Sequence, residues 1–538
     1  MQNGQSVFRG NTANGVNNAV YMENLSSTEK AQLNLEAKEK GEIVFDDAID
    51  GNNYDIAITG DGSGDIVFNS KVDNVSVFSA SNGSMFHLGL DGQINTQDYI
   101  VDNTAGLPVL TLDLQIDAAN NGINNGVVNV SGDVVGTTNV IVNSLNQDLL
   151  DNVADASTIF VKAPNDDMGT ASAFNVSRVY GSPYMWDSIR NYGGEEDGSF
   201  WYLVPSTFDE PEPEPEPEPD PEPEKPFNPV YTPEIPAYIG MQAAAVEQNR
   251  GINKSIGDGL RATRDKGCCD RQFKQKHNVW FNVDYNNAEI DAPSEMDADI
   301  EGMTAGLDLV SDGYQRVGVF GAYRQGDYDF SGKGKYRSKI GSKIETDSYL
   351  GGLYYNYDRR RWNVLATVFG GTQDMNVKTD DRVAFADTNG TQFGASLDIA
   401  RKFYLPYAWI VEPSLGLYYT ALDLDKFTDN LGKTADFDVM HYMEAELGLR
   451  FEHLFCANGW TTKVYAKPSV VQTFASGDKV NISGMEEIGT YDSQTLGRME
   501  IGAKFGLSAS LSAYVSADYT FGSDYSGYGV DAGLNYAW

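Results

Sequence analysis

The sequence predicts an all-β chain of 538 residues in two parts, a solenoid of short strands and then a barrel of twelve antiparallel strands that spans a membrane. Three observations carry that prediction. Residues 526–538 read SGYGVDAGLNYAW, setting Tyr528, Val530, Ala532, Leu534, Tyr536 and Trp538 on one face and small or polar residues on the other. Segments of that kind recur from His277 to the C-terminus. Between them and the first two hundred or so residues lies a run of alternating Pro and Glu that no strand or helix can accommodate.

Composition narrows the class. Lys plus Arg number 39 against 77 Asp plus Glu, a formal net charge of −38, which excludes a nucleic-acid backbone as partner. With 30 Tyr, 25 Phe and 55 Gly but only 3 Cys and 4 His, the chain is sheet-rich and poor in disulfides. No apolar run is long enough for a transmembrane helix, so a membrane-spanning form has to be a closed barrel. MQNGQSVFRGNT at the start has neither a basic region nor an apolar core of a secretory signal. Either the protein is not exported or the sequence starts within a longer gene; the uncapped array that follows Met1 favours the latter.

From residue 1 to about 203, β-branched runs such as GEIVFDDAIDG, YDIAITGDGSGDIVFNSKV and GVVNVSGDVVGTTNVIVNSL are divided by Gly, Asn and Asp turns. Their spacing, roughly twenty residues, is that of one turn of a β-solenoid, in which each turn buries its apolar row only against its neighbours. The aromatic-rich residues 174–206 suit a terminal unit that covers the last edge. Residues 209–229, DEPEPEPEPEPDPEPEKPFNP, then force an extended polyproline spacer. Met241 to Arg264 follow, with apolar residues at a loose helical spacing interrupted by Gly251, Gly257 and Gly259, too polar for a surface helix and suited to a narrow, hydrated channel.

The twelve strands are expected at about 278–287, 299–310, 315–330, 344–357, 361–376, 391–403, 407–421, 438–453, 458–474, 493–508, 510–522 and 526–538. In the eighth, Met443, Ala445, Leu447, Leu449 and Phe451 oppose Glu444, Glu446 and Arg450; in the tenth, Met499, Ile501, Ala503 and Phe505 oppose Arg498, Glu500 and Lys504. Charges of both signs on an inner face are costly in a dry core and cheap in a water-filled lumen. The third and fifth strands are mixed on both faces. Short connections alternate with longer polar ones, as in outer-membrane barrels.

These residues carry a resemblance. YTPEIPAY followed by a small-residue helix, a barrel of about twelve strands and a C-terminal aromatic is similar to the translocator domain of monomeric, type Va autotransporters of Gram-negative bacteria. GDGSGDIVFNSKV and FRGNTANGVNNAVY resemble the β-helical turns and FxGN-type rungs of surface passengers. The resemblance implies a truncated passenger fragment with a right-handed parallel β-helix fold (1–207), a linker (208–229), a pore-threading helix segment (230–276) and an outer-membrane barrel (277–538). It further implies a pore helix through Val246, Asn249, Asn253, Ile256 and Leu260, a barrel-assembly signal at Leu534, Tyr536 and Trp538, and a lumen charge network of Glu444, Glu446, Arg450, Arg498, Glu500 and Lys504. The partners implied are outer-membrane lipid and lipopolysaccharide, the barrel-assembly machinery, periplasmic chaperones and an unknown surface ligand; the barrel is expected to be a monomer.

Some autotransporters cut themselves at an Asn-Asn pair within that helix. Residues 249–258, NRGINKSIGD, place Arg250 and Gly251 where the pair would fall, so no autocleavage is expected. GDGSGD (60–65) has the wrong spacing for the GDSGS of protease passengers, and a single copy is a weak calcium turn; a plain strand-to-strand turn is the expectation. His87, His277, His441 and His453 are scattered, His441 facing lipid near a strand end; Cys268 and Cys269 are adjacent, and Cys456 stands alone. No catalytic residue, cofactor site or metal site is expected. The function expected is presentation of the passenger at the cell surface for adhesion or display, against two rivals: a plugged porin-like channel with an N-terminal appendage, and a soluble carbohydrate-binding or lyase protein.

Overall fold

The computed structural model describes residues 4–13, 16–22, 31–81, 83–117, 122–146, 157–192, 198–207, 229–261, 277–291, 293–312, 314–359, 361–457, 460–483, 485, 487–508 and 510–538. The Pro/Glu spacer before 229, residues 262–264 and both Cys268 and Cys269 lie outside them. Two compact units form: Met1–Thr232 with the short segment Leu431–Lys433, and Pro233–Asn430 with Thr434–Trp538.

In the first unit the chain alternates between two sheets whose strands pair mostly in parallel. Gln5–Phe8, Glu42–Phe45, Asp65–Phe68, Met85–Leu88 and Val109–Asp117 stack in one, in register Val44↔Val67↔His87↔Thr111. Ala48–Gly60, Lys71–Ser81, Gln93–Asp102 and Val127–Val130 stack in the other. Equivalent residues of successive turns meet inside. An aromatic spine results, with Phe8 on Phe45 at 4.9 Å, Phe45 on Phe68 at 5.6 Å, and a continuation through Phe78 and Tyr99 to Phe174 and Trp201. Outside, Asn129 donates to Asn95 at 2.7 Å and Asn95 donates to Asp73, so the polar row is paired as well.

The array ends where pairing turns antiparallel. Ser199–Pro205 runs against Thr158–Ala163 and forms a hairpin with Trp186–Arg190, burying Trp186 and Trp201. This hairpin falls in the stretch expected to be the terminal unit. Val230 also bonds to Ser206 and Met185, so the residues just after the spacer belong to this unit and not to the helix that follows.

The second unit is a closed barrel of twelve antiparallel strands: β1 Asn278–Ile290, β2 Met296–Ser311, β3 Gln315–Phe330, β4 Ser342–Arg359, β5 Trp362–Thr379, β6 Phe385–Arg401, β7 Trp409–Leu424, β8 Met440–Ala457, β9 Trp460–Ser476, β10 Thr495–Gly506, β11 Leu511–Phe521 and β12 Tyr525–Ala537. Each pairs with its neighbours, and β1 closes on β12 from Asn278↔Ala537 to Ile290↔Tyr525, leaving no edge. Alternation decides which side faces lipid: Leu534 is 51 % exposed while its neighbour Asn535 is 1 %. Tyr285, Tyr519 and Tyr528 ring one end of this apolar band, and Trp362, Trp409, Tyr536 and Trp538 ring the other.

The barrel's first and last residues share one end with the short turns, whereas connections 331–341, 425–439 and 477–494 extend from the opposite end. Two of those long loops are less irregular than their polar sequences imply. Phe427–Thr428, Thr434–Phe437, Lys479–Ile482 and Ile488–Gly489 pair into a small antiparallel sheet.

Candidate functional site: the barrel lumen and its helix

A helix fills the lumen in two segments, α1 Ile235–Arg250 and α2 Ile252–Arg261. It starts earlier than the expected Met241, because Pro236 lies in the first turn, where a missing N–H costs nothing. The glycines do not break it. Gly251 keeps helical dihedrals and its carbonyl accepts from the Ser255 N–H at 3.0 Å. These glycines mark close approach: a Cβ on Gly251 would stand 2.9 Å from Arg324 Nη2, and one on Gly259 would stand 2.7 Å from the Trp280 ring.

Two stripes of α2 and its approach, each with four-residue spacing, face opposite walls. Ile252, Ile256 and Leu260 pack against Trp280, Phe320, Leu350, Tyr354, Leu365 and Phe369. Two residues out of phase, Arg250, Lys254 and Asp258 meet charge. Arg250 reaches Glu444 at 3.3 Å; Lys254 bonds Asp518 and, at 2.5 Å, Asp531; Asp258 is 3.5 Å from Lys504. The lumen is therefore apolar along one wall and charged along the other, where a narrow, hydrated channel was expected.

The helix is held along its length. At the long-loop end Tyr238 donates to Asp429 at 2.9 Å, and Gln242 donates to the Asp438 carbonyl at 2.8 Å while accepting from Thr490. Midway, Gln248 donates to the Arg324 carbonyl at 2.9 Å and Gln373 to the Ala245 carbonyl at 3.3 Å. At the short-turn end Asn535 donates to the Gly259 carbonyl at 2.8 Å. Ser255 Oγ lies within hydrogen-bond reach of both Asp284 and Asp531, at 3.4 and 3.3 Å.

The expected pore-helix residues all lie in this lumen. Val246, Ile256 and Leu260 are buried. Asn253 accepts from Thr367 at 3.2 Å. The Asn249 amide donates to the Ala245 carbonyl at 2.9 Å and to Gln392. The six expected network residues also converge. Arg498 bridges Glu446 at 3.0 Å and Glu444 at 3.5 Å, Glu500 accepts from Tyr465 at 2.6 Å, and Arg450 lies 3.5 Å over the Tyr465 ring, with Lys504 near Asp258. Most of them border, with Val246, Asn249 and Asn253, a cavity of about 1070 Å³ including its open mouth. Leu534, Tyr536 and Trp538 project to the lipid side of β12.

Sequence reasoning missed the most deeply buried ion pair among the described residues. Arg324 Nη2 and Asp284 Oδ2 are 2.5 Å apart, with side chains 0 % and 1 % exposed. Alternation had put Asp284 on the inner face, but β3 read as mixed because its lumen face also carries Phe320, Tyr328 and Phe330. Elsewhere, the 60–65 turn is closed locally, Ser63 donating to Asp61 at 2.6 Å. His441 is exposed and within 2.8 Å of Tyr419.

The model of the autotransporter beta-domain family matches residues 279–518, from β1 into β11 of this barrel. The C-terminal half of the chain is an autotransporter beta-domain. This beta-domain resides in the outer membrane. Similar solved structures are the beta-domain of the Bordetella autotransporter BrkA (21 % identity, 49 % of this chain and 100 % of that one, TM-score 0.41), the translocator domain of NalP from Neisseria meningitidis (13 %, 56 % and 100 %, 0.45) and the transport unit of AIDA-I from Escherichia coli (13 %, 53 % and 98 %, 0.42). No curated protein sequence matches the chain. At the β1–β12 seam of the beta-domain, Leu534 stands opposite Phe281 and Asn535 opposite Trp280, so residues of the same face meet.

Proposed function

We propose that this outer-membrane autotransporter presents its N-terminal solenoid on the cell surface for adhesion or display, and that the lumen helix is the plug left once the chain has passed through the barrel. The observation that supports this is the helix's direction. It enters at the long-loop end, beside Asp429 and Asp438, and leaves at the short-turn end, beside Asn535, where β1 begins. Long loops lie outside and short turns in the periplasm in such barrels, so the helix runs from the outer end of the lumen to the periplasmic end, the direction that a chain passed outward would leave it in.

The solenoid suits contact rather than catalysis: its rows of Asn and Asp side chains pair with one another along stacked strands. We read the lumen charges likewise, as a network satisfied by the helix, with neither catalysis nor self-cleavage. Insertion would use the barrel-assembly machinery and periplasmic chaperones, with β12 as the signal, and the barrel would stand as a monomer among phospholipid and lipopolysaccharide. The deciding measurement is planar-bilayer conductance before and after deleting residues 226–264. A small pore that opens on deletion fits a plug; a pore indifferent to the deletion fits a porin with an appendage. On intact cells, an externally added protease should cut in the solenoid or the Pro/Glu spacer; complete protection rejects surface presentation.

A further inference from the structure

Acidic residues outnumber basic ones almost two to one in this chain. Against that background, the short-turn end of β4 to β7 is a basic corner. The β4–β5 turn carries Arg359 and Arg361, and the β6–β7 turn carries Arg401 and Lys402; the two turns are tied by the Lys402 N–H donating to the Arg361 carbonyl at 2.7 Å. Lys402 is engaged, 3.4 Å from Asp358. Arg359, Arg361 and Arg401 are exposed, and none of them has a carboxylate within ion-pair distance among the described residues.

Rings hold two of these guanidiniums in place. Arg401 lies 5.3 Å from the Trp362 centroid and 5.0 Å from that of Phe403, and Arg359 lies 5.3 Å from the Tyr314 ring. By strand alternation Arg359, Trp362, Arg401, Phe403 and Trp409 all point to the lipid side. The hairpin beyond them is unusually apolar for a turn: Tyr404 is 61 % exposed and Tyr407 90 %. Tyr407 and Ala408 both take positive φ, 60° and 59°, where glycine would be cheaper. An exposed aromatic kept at a strained tip, beside unpaired guanidiniums at the level where hydrocarbon gives way to headgroups, has the chemistry of a lipid interface.

We infer that this corner is a binding site for anionic phospholipid of the periplasmic leaflet: Arg359, Arg361 and Arg401 take the headgroup phosphate, while Tyr404, Leu405, Tyr407 and Trp409 enter the interface around it. Guanidinium matches phosphate geometrically and is weakly hydrated, so it gives up water readily to such a partner. On the orientation proposed above, on which this inference rests, the short-turn end meets phospholipid and lipopolysaccharide lies at the other end. The site therefore anchors one side of the barrel more firmly than the rest of the rim.

The test reconstitutes the full-length protein in phosphatidylcholine bilayers containing brominated phosphatidylglycerol or brominated phosphatidylcholine at equal mole fraction. Trp362 and Trp409 report the local lipid through bromine quenching, as the part of the quenching that is lost in a Trp362→Phe/Trp409→Phe variant. Phosphatidylglycerol should be enriched several-fold at the corner, and the enrichment should fall with each basic residue removed near the surface. Arg359→Gln/Arg361→Gln/Arg401→Gln should quench equally with both lipids. Should that variant not assemble, raising salt on the wild type is the independent readout, and the enrichment should fall steeply between 50 and 500 mM NaCl. Equal quenching in the wild type, enrichment retained by the triple variant, or enrichment indifferent to salt would each overturn the assignment.

Discussion

Replacing Asp284 with Asn removes one charge from a pair that lies wholly inside the lumen wall and leaves Arg324 without its carboxylate. The two groups are 2.5 Å apart. At an effective dielectric of about 20 their gross attraction is about 7 kcal/mol, most of it offset by desolvation. What the substitution exposes is the cost of an unpaired buried charge, about 3–5 kcal/mol. Relief is poor, because Arg324 Nε and Nη1 have no hydrogen-bond partner among the described residues and Gly251 of the helix lies close against the guanidinium. Urea unfolding of the lipid-reconstituted protein, followed by loss of the compact electrophoretic form, should show that drop at an unchanged slope. An apolar pair, Asp284→Leu/Arg324→Met, should recover most of it, giving a coupling of about 2 kcal/mol or more. A single substitution within about 0.5 kcal/mol of wild type, or a double variant as weak as the single one, refutes the assignment of this pair as a buried ion pair that ties β1 to β3 in the lumen wall.

Other consequences follow from the same geometry. Gly259→Leu places a side chain into the Trp280 ring; single-channel recording should show a larger and noisier pore, and an unaltered trace would mean that the close approach is not needed. Trp538→Ser with Tyr536→Ser strips two lipid-side aromatics from the closing strand, so the assembled outer-membrane fraction should fall several-fold; full assembly would remove β12 as the signal. Asn249→Ala should leave the full-length band unchanged, because no cleavage is expected to abolish; a barrel-sized fragment present in wild type and absent in the variant contradicts this. In the solenoid, burial opposes charging of His87, but its 2.7 Å hydrogen bond to Asp113 and the charges of Asp113, Asp65 and Glu42 outweigh it and raise its pKa. A raised histidine stabilises fully below its unfolded value near 6.5 and loses that contribution as pH rises through the folded value. Burial also raises Asp65, which favours acid in the same sense but at lower pH. Protease resistance of the solenoid in the full-length protein should decline from about pH 6 to pH 8, and His87→Gln should flatten that slope.

The twelve strands were legible because a sheet between oil and water writes its period into the sequence. Met443, Leu447 and Leu449 cannot exchange faces with Glu444, Glu446 and Arg450 without burying charge in lipid. β3 and β5 blurred for a physical reason. Their lumen faces carry Phe320, Leu365 and Phe369 because a helix, and not water, lies against them there. The charged residues were legible as a set but not as pairs, since alternation fixes the face and says nothing of what stands across a lumen. Helix continuity through Gly251, Gly257 and Gly259 was also hidden, because propensity disfavours what close packing against Arg324 and Trp280 requires. The small sheet built from the two long loops has strands of two to four residues, too short to show a period.

The same two-sided lumen suggests an order of events. While the lumen holds water, Glu444, Asp518, Asp531 and Lys504 are solvated and cost little. When the helix settles, Arg250 at the end of α1 and Lys254 and Asp258 of α2 replace that water with opposite charge, and Ile252, Ile256 and Leu260 cover the apolar wall. Neither stripe can seat without the other, since four-residue spacing puts them on one rigid element. A shift by two residues would turn the charged stripe toward Phe369 and Leu365, stranding carboxylates that water no longer reaches. The pairing thus fixes register as well as position, and the helix can come to rest in the barrel at only one depth.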